Sequence, residues 1–356
     1  MLPNSGRTTS LFAQLDADIA PVAPQSLWFK YRMRWKCRRL LFRSLRHRHD
    51  LTRLKVDEAA IAGAPILGFM TLRNEMTLLP FYLAHYRHLG VGHFLVVDNK
   101  SDDGSADFLA QQPDVSVWTT SASYKLSRFG VDWLTCLQFK FGAGKWCLTA
   151  DADEILVLPD NKPLPELTTY LDQAGLESFG VLMLDMYPKG PVNEARYTAG
   201  DDPFVGDIRW FDADNYRAQR HRYFDNLILR GGVRDRLFFG ADPNLAPSLN
   251  KTPLVKWQRG FAYISSSHQI LPRHLNCVYE AGRPTGVFLH SKFLPNIGAK
   301  SQEELSRQQH FENSDLYVDY YKTLIDSPDL WYDDSVEYTG PDQLENLGLM
   351  TRGSWA

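Results

Sequence analysis

The sequence predicts an α/β fold, in which helices flank a mostly parallel sheet and the second half is less regular. From Ile66 onward, apolar runs typical of buried strands alternate with segments of helical periodicity. Polar clusters follow successive strands: RNE at 73–75, DNKSDDGS at 98–105 and DADE at 151–154. Right-handed crossovers bring the carboxyl ends of parallel strands to one edge of a sheet, where ligands bind. We therefore expect the three clusters to lie together.

The first half alternates regularly between strand and helix. The run at 66–72 is continuously apolar, and the next segment places Leu79, Leu83, Tyr86 and Leu89 on one helical face before Gly90, a good helix terminator. The remaining elements predicted in order are a strand ending at 98, a helix at 105–113, a strand at 115–118, a helix at 129–144 and a strand at 145–154.

The second half gives weaker signals. A strand is predicted to end at Asp185, and a polar and aromatic excursion follows over 188–226. The other predictions are a strand broken by Gly-Gly at 226–240, short strands at 252–257 and 261–270, a strand at 286–294 and a helix at 301–325 capped by Ser301.

Composition excludes several classes of protein. Of 356 residues 44% are hydrophobic and 23% are charged, as in soluble globular proteins, and a net charge of −3 gives no signal for nucleic acid. The four cysteines form no CxxC pair, which favours a reducing compartment. No apolar run of about 18 residues predicts a membrane span, and no secretory signal is recognisable. We expect a cytoplasmic protein.

Basic and aromatic residues are concentrated near the N-terminus. Nine Lys/Arg lie between Lys30 and Arg48, interleaved with aromatic residues, and the first acid after them is Asp50. Such a helix, over residues 28–49, is predicted either to pack its apolar stripe on the body of the protein or to contact an anionic membrane peripherally. The predicted organisation is a flexible leader over 1–25, this basic helical segment over 26–64, a main domain over 65–330 and a tail over 331–356.

The DADE cluster is the strongest candidate for a metal site. Strand alternation would place Asp151 and Asp153 on one side and Glu154 on the other. Two carboxylates there suit a hard divalent cation that also takes oxygens from a bound phosphate. The alternative is an acidic turn satisfied by water and helix N-termini.

The DNKSDDGS cluster would form the opposite wall. Asp98 can accept hydrogen bonds from a base or a ribose hydroxyl, whereas Asp102, Asp103 and Gly104 equally suit a tight turn. Lys125 and Arg128 precede a predicted helix and suit contacts with a diphosphate, or they belong to a surface loop.

The motifs TLRNE, DNKSDDGS and TADADE, followed by DMYP, GGVRDRLF, KTPLVKW and GVFLHSKF, resemble the glycosyltransferase family 2-like, GT-A-fold enzymes of bacteria. The resemblance covers roughly residues 65–325. It implies that 65–330 is a GT-A glycosyltransferase domain that transfers a sugar from a nucleotide-diphosphate donor. The implied acceptor is a saccharide or a lipid-linked molecule, in cell-envelope polysaccharide biosynthesis.

The resemblance also implies roles for individual residues. Asn74 and Asp98 would line the nucleoside pocket, with Asp103 nearby. Asp151 would face both ribose and metal, and Asp153 would hold the metal, Mn²⁺ or Mg²⁺.

A late histidine often completes such a metal site. His290 in FLHSKF fits that position, and His268 in SSSHQI is the second candidate. For each, the alternative is a histidine that simply packs within its strand.

An inverting transferase also needs a carboxylate that deprotonates the acceptor hydroxyl. Asp235 is the first candidate, although Arg234 and Arg236 flank it and would lower its pKa. If those arginines bind phosphate instead, Asp185 is the alternative base.

Two other functions compete with this prediction. A non-catalytic protein that binds sugar nucleotides would keep the same fold. A D-x-D phosphohydrolase would use an aspartyl nucleophile, but such a motif usually follows the first strand, and here it follows the fourth.

Overall fold

The computed structural model describes residues 25–307 and 318–355, so the predicted leader lies outside the described residues except for Gln25. The strands are β1 Thr52–Lys55, β2 Ile66–Leu72, β3 His93–Asp98, β4 Val115–Thr119, β5 Trp146–Thr149, β6 Glu154–Val157, β7 Ser178–Asp185, β8 Trp210–Phe211, β9 Arg217–His221, β10 Asn226–Arg230, β11 Asn250–Lys256, β12 Ala262–Ser265, β13 Gln269–Leu271, β14 Thr285–His290 and β15 Val336–Glu337. The helices are α1 Leu27–Arg46, α2 Glu58–Gly63, α3 Leu79–Leu89, α4 Ser105–Gln111, α5 Val131–Phe141, α6 Leu164–Gln173, α7 Gly232–Phe238, α8 Ile297–Arg307, α9 Val318–Ile325 and α10 Pro341–Asn346.

The fold is α/β, as predicted, with a Rossmann-like arrangement of helices around a mixed sheet. The described residues form a nine-stranded sheet in the order β1-β4-β3-β2-β5-β11-β7-β14-β6. Because β11 is antiparallel to both β5 and β7, six strands run in one direction. The ends of β2, β3, β4, β5, β7 and β14 therefore meet at one edge, which we call the carboxyl edge.

The elements between residues 66 and 141 match the sequence predictions, whereas the predicted helical segment 26–64 also contains strand β1, which pairs with β4. Every residue of β2 is buried, and its side chains alternate between two core clusters. Ile66 and Met70 pack on one face of the sheet, and Leu67 and Phe69 pack on the other. This two-sided burial explains why the strand is continuously apolar.

Helix α3 shows how local sequence positions the site. Its buried face holds Leu79, Leu83, Tyr86 and Leu89, and the helix ends at Gly90 with φ 106°. Only glycine adopts this left-handed conformation without steric cost, so the chain turns there into β3. The predicted helix and its terminator are confirmed.

The DADE cluster is not the end of a strand, contrary to our prediction. Strand β5 ends at Thr149, residues 150–153 form a turn, and Glu154 begins β6. Strand β6 lies at the far edge of the sheet, antiparallel to β14. Strand alternation does not hold in a turn, so Asp151 and Asp153 need not point the same way.

Two further predictions in the second half were wrong. After the Gly-Gly pair the chain forms helix α7 rather than resuming a strand. Ser301 lies inside α8, which begins at Ile297, so it is not an N-cap. Helix α6 was not predicted, although its Leu164, Leu167 and Leu171 form a regular buried stripe.

Both ends of the described chain pack on the domain. Helix α1 buries Met33, Cys37 and Ser44 and lies against α5 and β12. The predicted tail pairs β15 with β8 and buries Trp355 at 5% exposure. The predicted tail therefore contributes buried side chains to the domain, among them Leu344, Leu349 and Met350.

Candidate active site at the carboxyl edge

A row of three side chains lies at the carboxyl edge of β7 and β14. Asp185 ends β7, and its Oδ1 lies 2.6 Å from Nδ1 of His290, the last residue of β14. The other ring nitrogen, Nε2, lies 3.1 Å from Oδ2 of Asp153 in the turn. The backbone fixes this order, since the Ser291 amide donates to the Asp153 carbonyl at 2.9 Å. The predicted residues His290 and Asp153 are therefore neighbours.

The two carboxylates determine the charge on His290. Burial alone would lower its pKa, but Asp153 and Asp185 outweigh burial and raise the pKa of His290. For Asp153, burial would raise the pKa, but His290, Lys292 and Lys300 hold it well below its usual range. Each residue thus favours the charged form of the other.

Arg234 anchors the inner end of this row. Its Nε donates to Asp185 Oδ2 at 2.7 Å, and both side chains are almost fully buried. Burial opposes the ionised form of Asp185, yet Arg234 and His290 lower the pKa of Asp185 to about 2. Asp185 is therefore an ionised carboxylate that orients the imidazole, and its proton affinity is poor for the alternative base.

Glu154 and Asp151 form a second group around Lys251 of β11. The ammonium of Lys251 pairs with the buried carboxylate of Glu154 and lies 3.7 Å from Asp151 Oδ2. Glu154 also accepts a hydrogen bond from the Asp151 amide at 3.2 Å. Although about half of the Asp151 side chain is exposed, desolvation of its carboxylate and the Glu154 charge raise its pKa, and Lys251 opposes that rise.

The structure thus separates the two predicted metal carboxylates. Asp151 faces Lys251, whereas Asp153 faces His290. Among the described residues, ligand atoms of three residues come within 4.8 Å of one another only at Asp160, Asp342 and Glu345. That group is on the surface, and Arg352 pairs with its Asp160 and Glu345. The ligand atoms of Asp151, Asp153 and His290 therefore do not all lie within 4.8 Å of one another, and Asp153 and His290 are the two in direct contact.

The opposite wall comes from the loops after β2 and β3. Asp98 is 2% exposed, and its Oδ1 accepts the Ser101 amide at 3.1 Å. Its Oδ2 is buried and has no hydrogen-bond partner within the described residues. Since a buried carboxylate oxygen normally has a donor, this atom is the clearest unmet acceptor on that wall.

Asn74 and Asp103 hold the two loops together. Asn74 has φ 54°. Its side-chain oxygen Oδ1 accepts the backbone amide of Asp102 at 2.9 Å, and its backbone amide donates to Ser101 Oγ. Asp103 accepts the Met76 amide at 2.8 Å and both donors of Ser105. The turn interpretation therefore accounts for Asp103, and Asn74 contributes its side-chain carbonyl to loop structure.

Helix α8, from the C-terminal part of the sequence, packs against this wall through Lys300. Lys300 donates to both oxygens of Glu75 at 2.8 and 2.9 Å. Burial raises the pKa of Glu75, with Asp153 adding to the rise and Lys300 opposing it. The RNE motif therefore contributes Glu75, which pairs with Lys300 of α8 and lies close enough to Asp153 for the two carboxylates to repel each other.

Arg128 does not face a diphosphate site. Its guanidinium donates to Asp132, to the carbonyls of Tyr263 and Ile264, and to Ser44 Oγ. All three of its nitrogens thus serve to fasten α1, α5 and β12 together, which contradicts its predicted role. Lys125 lies half-buried in the same loop.

Asp235 is paired, but not with the arginines beside it in sequence. It forms a bidentate ion pair with Arg217, at 2.5 and 2.8 Å. Its neighbours in the chain bind other acids: Arg234 binds Asp185 and Arg236 binds Asp212. Successive residues of a helix point about 100° apart, so the unpredicted helix α7 sends the three side chains in different directions.

His268 lies outside the row. Its Nδ1 lies 2.7 Å from the Asn250 carbonyl oxygen, and burial together with Lys251 lowers its pKa to about 3. The ring is therefore neutral and donates to backbone. Between the two predicted histidines, the geometry favours His290.

Four cations lie at this edge: Lys251, Lys292 and Lys300 were not predicted, and Arg234 was predicted only as a possible phosphate ligand. Lys292 follows His290 by two residues, and burial and Arg234 lower its pKa. Its place in the HSKF motif is a local signal, as is the place of Arg234 in GGVRDRLF. Lys251 and Lys300 reach the edge from β11 and α8, which are distant in sequence.

Comparison with known proteins adds little to this geometry. No family model matches the chain, and no curated protein is similar to it. Among solved structures, the chain is similar to one described as "Crystal structure of 4-diphosphocytidyl-2C-methyl-D-erythritol synthase", with 19% identity over 38% of this chain and 68% of that chain, and a TM-score of 0.24. A likeness this weak carries no functional argument.

Proposed function

We propose that the chain is a metal-dependent inverting glycosyltransferase that uses a nucleotide-diphosphate sugar. The observation that carries the proposal is the row Asp185–His290–Asp153 at the carboxyl edge. The motifs that resemble family 2-like GT-A enzymes supply the expectation, and this geometry supports it. The acceptor is proposed to be a saccharide or a lipid-linked molecule.

The donor atoms at the outer end of the row fit a divalent ion. Asp153 Oδ2 and His290 Nε2 are 3.1 Å apart. Adjacent ligands of one ion, each about 2.1 Å from it, would be separated by about 3 Å. Asp185, held by Arg234, would keep the other ring nitrogen protonated and leave Nε2 free to bind. Mn²⁺ and Mg²⁺ both accept this mixture of ligands, and either would offset the charge of a diphosphate leaving group.

The remaining groups suggest which wall binds the nucleoside of the donor and which binds its phosphates. The unpaired Oδ2 of Asp98 offers an acceptor for a nucleoside NH or a ribose hydroxyl. Lys292 and Lys300 lie close enough to Asp153 to lower its pKa, and their charge favours phosphate oxygens there. We propose that the nucleoside contacts Asp98 and that the phosphates lie between Asp153 and these lysines.

Of the two candidate bases we propose Asp235, because it is the more accessible. The Asp185 side chain is 2% exposed and is held by two partners, whereas Asp235 is 11% exposed and its partner Arg217 is 40% exposed. An acceptor hydroxyl can reach a carboxylate only after its cation moves, and Arg217 is the freer of the two cations. We therefore retain Asp235 as the proposed base.

The test is nucleotide diphosphate release from a panel of nucleotide sugars with Mn²⁺ and candidate acceptors. Asp153→Asn should abolish release, while Asp160→Asn, in the exposed acidic group, should leave it unchanged. Asp235→Asn should lower kcat by about 100-fold or more with donor binding intact, since a general base contributes that much.

Three outcomes would contradict the proposal. Donor binding that needs no divalent ion argues against the metal. Metal-dependent donor binding without transfer to any acceptor indicates the non-catalytic alternative. Release of inorganic phosphate that depends on Asp151 or Asp153 indicates a phosphohydrolase.

A further inference from the structure

Helix α1 has a second apolar face, and that face is exposed. Met33, Cys37 and Ser44 pack on the domain. Trp28, Tyr31, Trp35 and Phe42 are spaced by three, four and seven residues, which places them on one face, and each is 50–66% exposed. Soluble proteins seldom expose so many large aromatic side chains together, and such patches usually mark interaction sites.

We call these four side chains the aromatic face. Three of them are in contact: Trp28 stacks on Tyr31 with ring centroids 5.6 Å apart, and Tyr31 meets Trp35 at 6.1 Å. Arginines flank the rings, with Arg38 6.0 Å from the Trp35 centroid and Arg46 6.0 Å from that of Phe42. The face therefore combines aromatic surface with positive charge.

The charge of the helix selects the kind of partner. Helix α1 contains eight Lys/Arg and no Asp or Glu, although the whole chain has a net charge of −3. Packing two copies through this face would bring together two helices that carry basic and no acidic side chains, which disfavours a dimer. Aromatic rings among arginines suit the boundary between lipid headgroups and acyl chains, where anionic lipids attract the basic side chains.

Helix α1 is fixed to the domain near the candidate site. Asp132, the second residue of α5, is buried and accepts Arg43 Nε at 2.8 Å and Ser44 Oγ at 2.7 Å. Helix α5 leads from the end of β4 to the start of β5, so its N-terminus lies at the carboxyl edge. A surface that binds through α1 would thus be held beside that edge.

We propose that the aromatic face of α1 docks on a bilayer surface that contains anionic phospholipid. No helix in the two described ranges is long and apolar enough to cross a bilayer, so this contact is peripheral. The inference does not depend on the proposed transferase activity, because vesicle binding and sugar transfer are measured separately.

The experiment is flotation of the full chain with phosphatidylcholine vesicles, with and without phosphatidylglycerol, at low and high salt. The full chain should float only with phosphatidylglycerol, and high salt should weaken binding. Arg38→Gln/Arg39→Gln should lower the partition coefficient about 30-fold. Its matched control, Arg196→Gln/Lys322→Gln, removes two exposed charges elsewhere and should behave like the unchanged chain.

The aromatic face is tested separately. Trp28→Ala/Trp35→Ala should lower partitioning more than about tenfold, while Val205→Ala, at another exposed apolar position, should not. Equal flotation with neutral vesicles, or equal losses in the charge variant and its control, would overturn the proposal. So would a dimer in light scattering that becomes a monomer in the tryptophan variant, because a second copy would then occupy the face.

Discussion

The two walls of the candidate site satisfy their acids in different ways. On the wall formed after β2 and β3, Asp98 and Asp103 accept hydrogen bonds from backbone amides 2 to 27 positions away and from the Ser105 hydroxyl. On the wall formed after β5, β7 and β14, Asp153, Glu154 and Asp185 are held by cations and an imidazole roughly 50 to 140 positions away. Apart from the Glu75–Lys300 ion pair, the acids of the first wall are held by hydrogen bonds within and between its two loops, whereas those of the second wall are held by long-range ion pairs.

The difference has an energetic consequence. A backbone amide that caps a carboxylate stabilises a turn by about 1 kcal/mol, and water can replace it at the surface. A buried ion pair has given up its hydration, so removal of one partner leaves a charge that nothing solvates. We therefore expect substitutions on the second wall to cost more stability and to affect chemistry more directly.

The largest effect is expected at Lys251. Lys251→Met would leave the buried Glu154 without its cation, and we expect the free energy of unfolding to fall by about 3–5 kcal/mol. Urea denaturation followed by circular dichroism measures it. The matched control, Lys251→Met/Glu154→Gln, removes the stranded charge and should recover most of the loss. A loss under about 1 kcal/mol in the single variant would remove the distinction between the walls.

The next effect concerns metal affinity. Asp185→Asn keeps the shape of the side chain but loses its charge and one acceptor oxygen, so it can no longer serve both Arg234 and His290. We expect Mn²⁺ affinity, measured by titration calorimetry, to fall about 10- to 100-fold. Asp212→Asn is the control, since Asp212 is equally buried and pairs with Arg236. An equal loss of affinity in both variants would mean that Asp185 acts only on stability.

The same contrast explains which parts of the molecule the sequence could predict. Helix α3 and strands β2, β3 and β7 follow from periodicity and a terminating glycine, because these signals are local. The position of the polar clusters at one edge of the sheet could also be predicted, because nearly all connections between parallel strands are right-handed. His290 came from a resemblance of motifs, and the structure brings it to Asp153.

The predictions that were wrong depended on contacts between residues that are distant in the sequence. Asp151 and Asp153 were expected on one side because the chain was taken to be still extended, but it turns at residue 150 and re-enters the sheet at its far edge as β6. The partner of Glu154 is 97 positions away on β11, and no local pattern indicates it. The role of Arg128 likewise depends on carbonyls of β12 and a hydroxyl of α1.

A smaller effect is expected on the first wall. Asp103→Ala removes the acceptor for the Met76 and Ser105 amides, and we expect a loss of about 1 kcal/mol in unfolding free energy. Burial opposes ionisation, but the hydrogen bonds from Ser105 and Met76 lower the pKa of Asp103. Its contribution should thus be present above the unfolded value, near 3.9, and be lost as pH falls further through the folded pKa. A difference between the two proteins that is unchanged in acid would show that the cap does not depend on the charge.

The smallest effect is expected for an exposed ion pair, which tests whether burial or ion pairing itself makes the second wall sensitive to substitution. Arg87 and Asp114 form a bidentate pair at 2.7 and 2.6 Å in the first half, but their side chains are 36% and 25% exposed. Asp114→Asn should lower the unfolding free energy by less than about 1 kcal/mol, and added salt should shrink the difference, because exposed pairs are screened. Urea denaturation at two salt concentrations measures both. If this loss instead approaches that of Lys251→Met, ion pairing itself stabilises the fold, and the contrast between the walls would no longer come from desolvation.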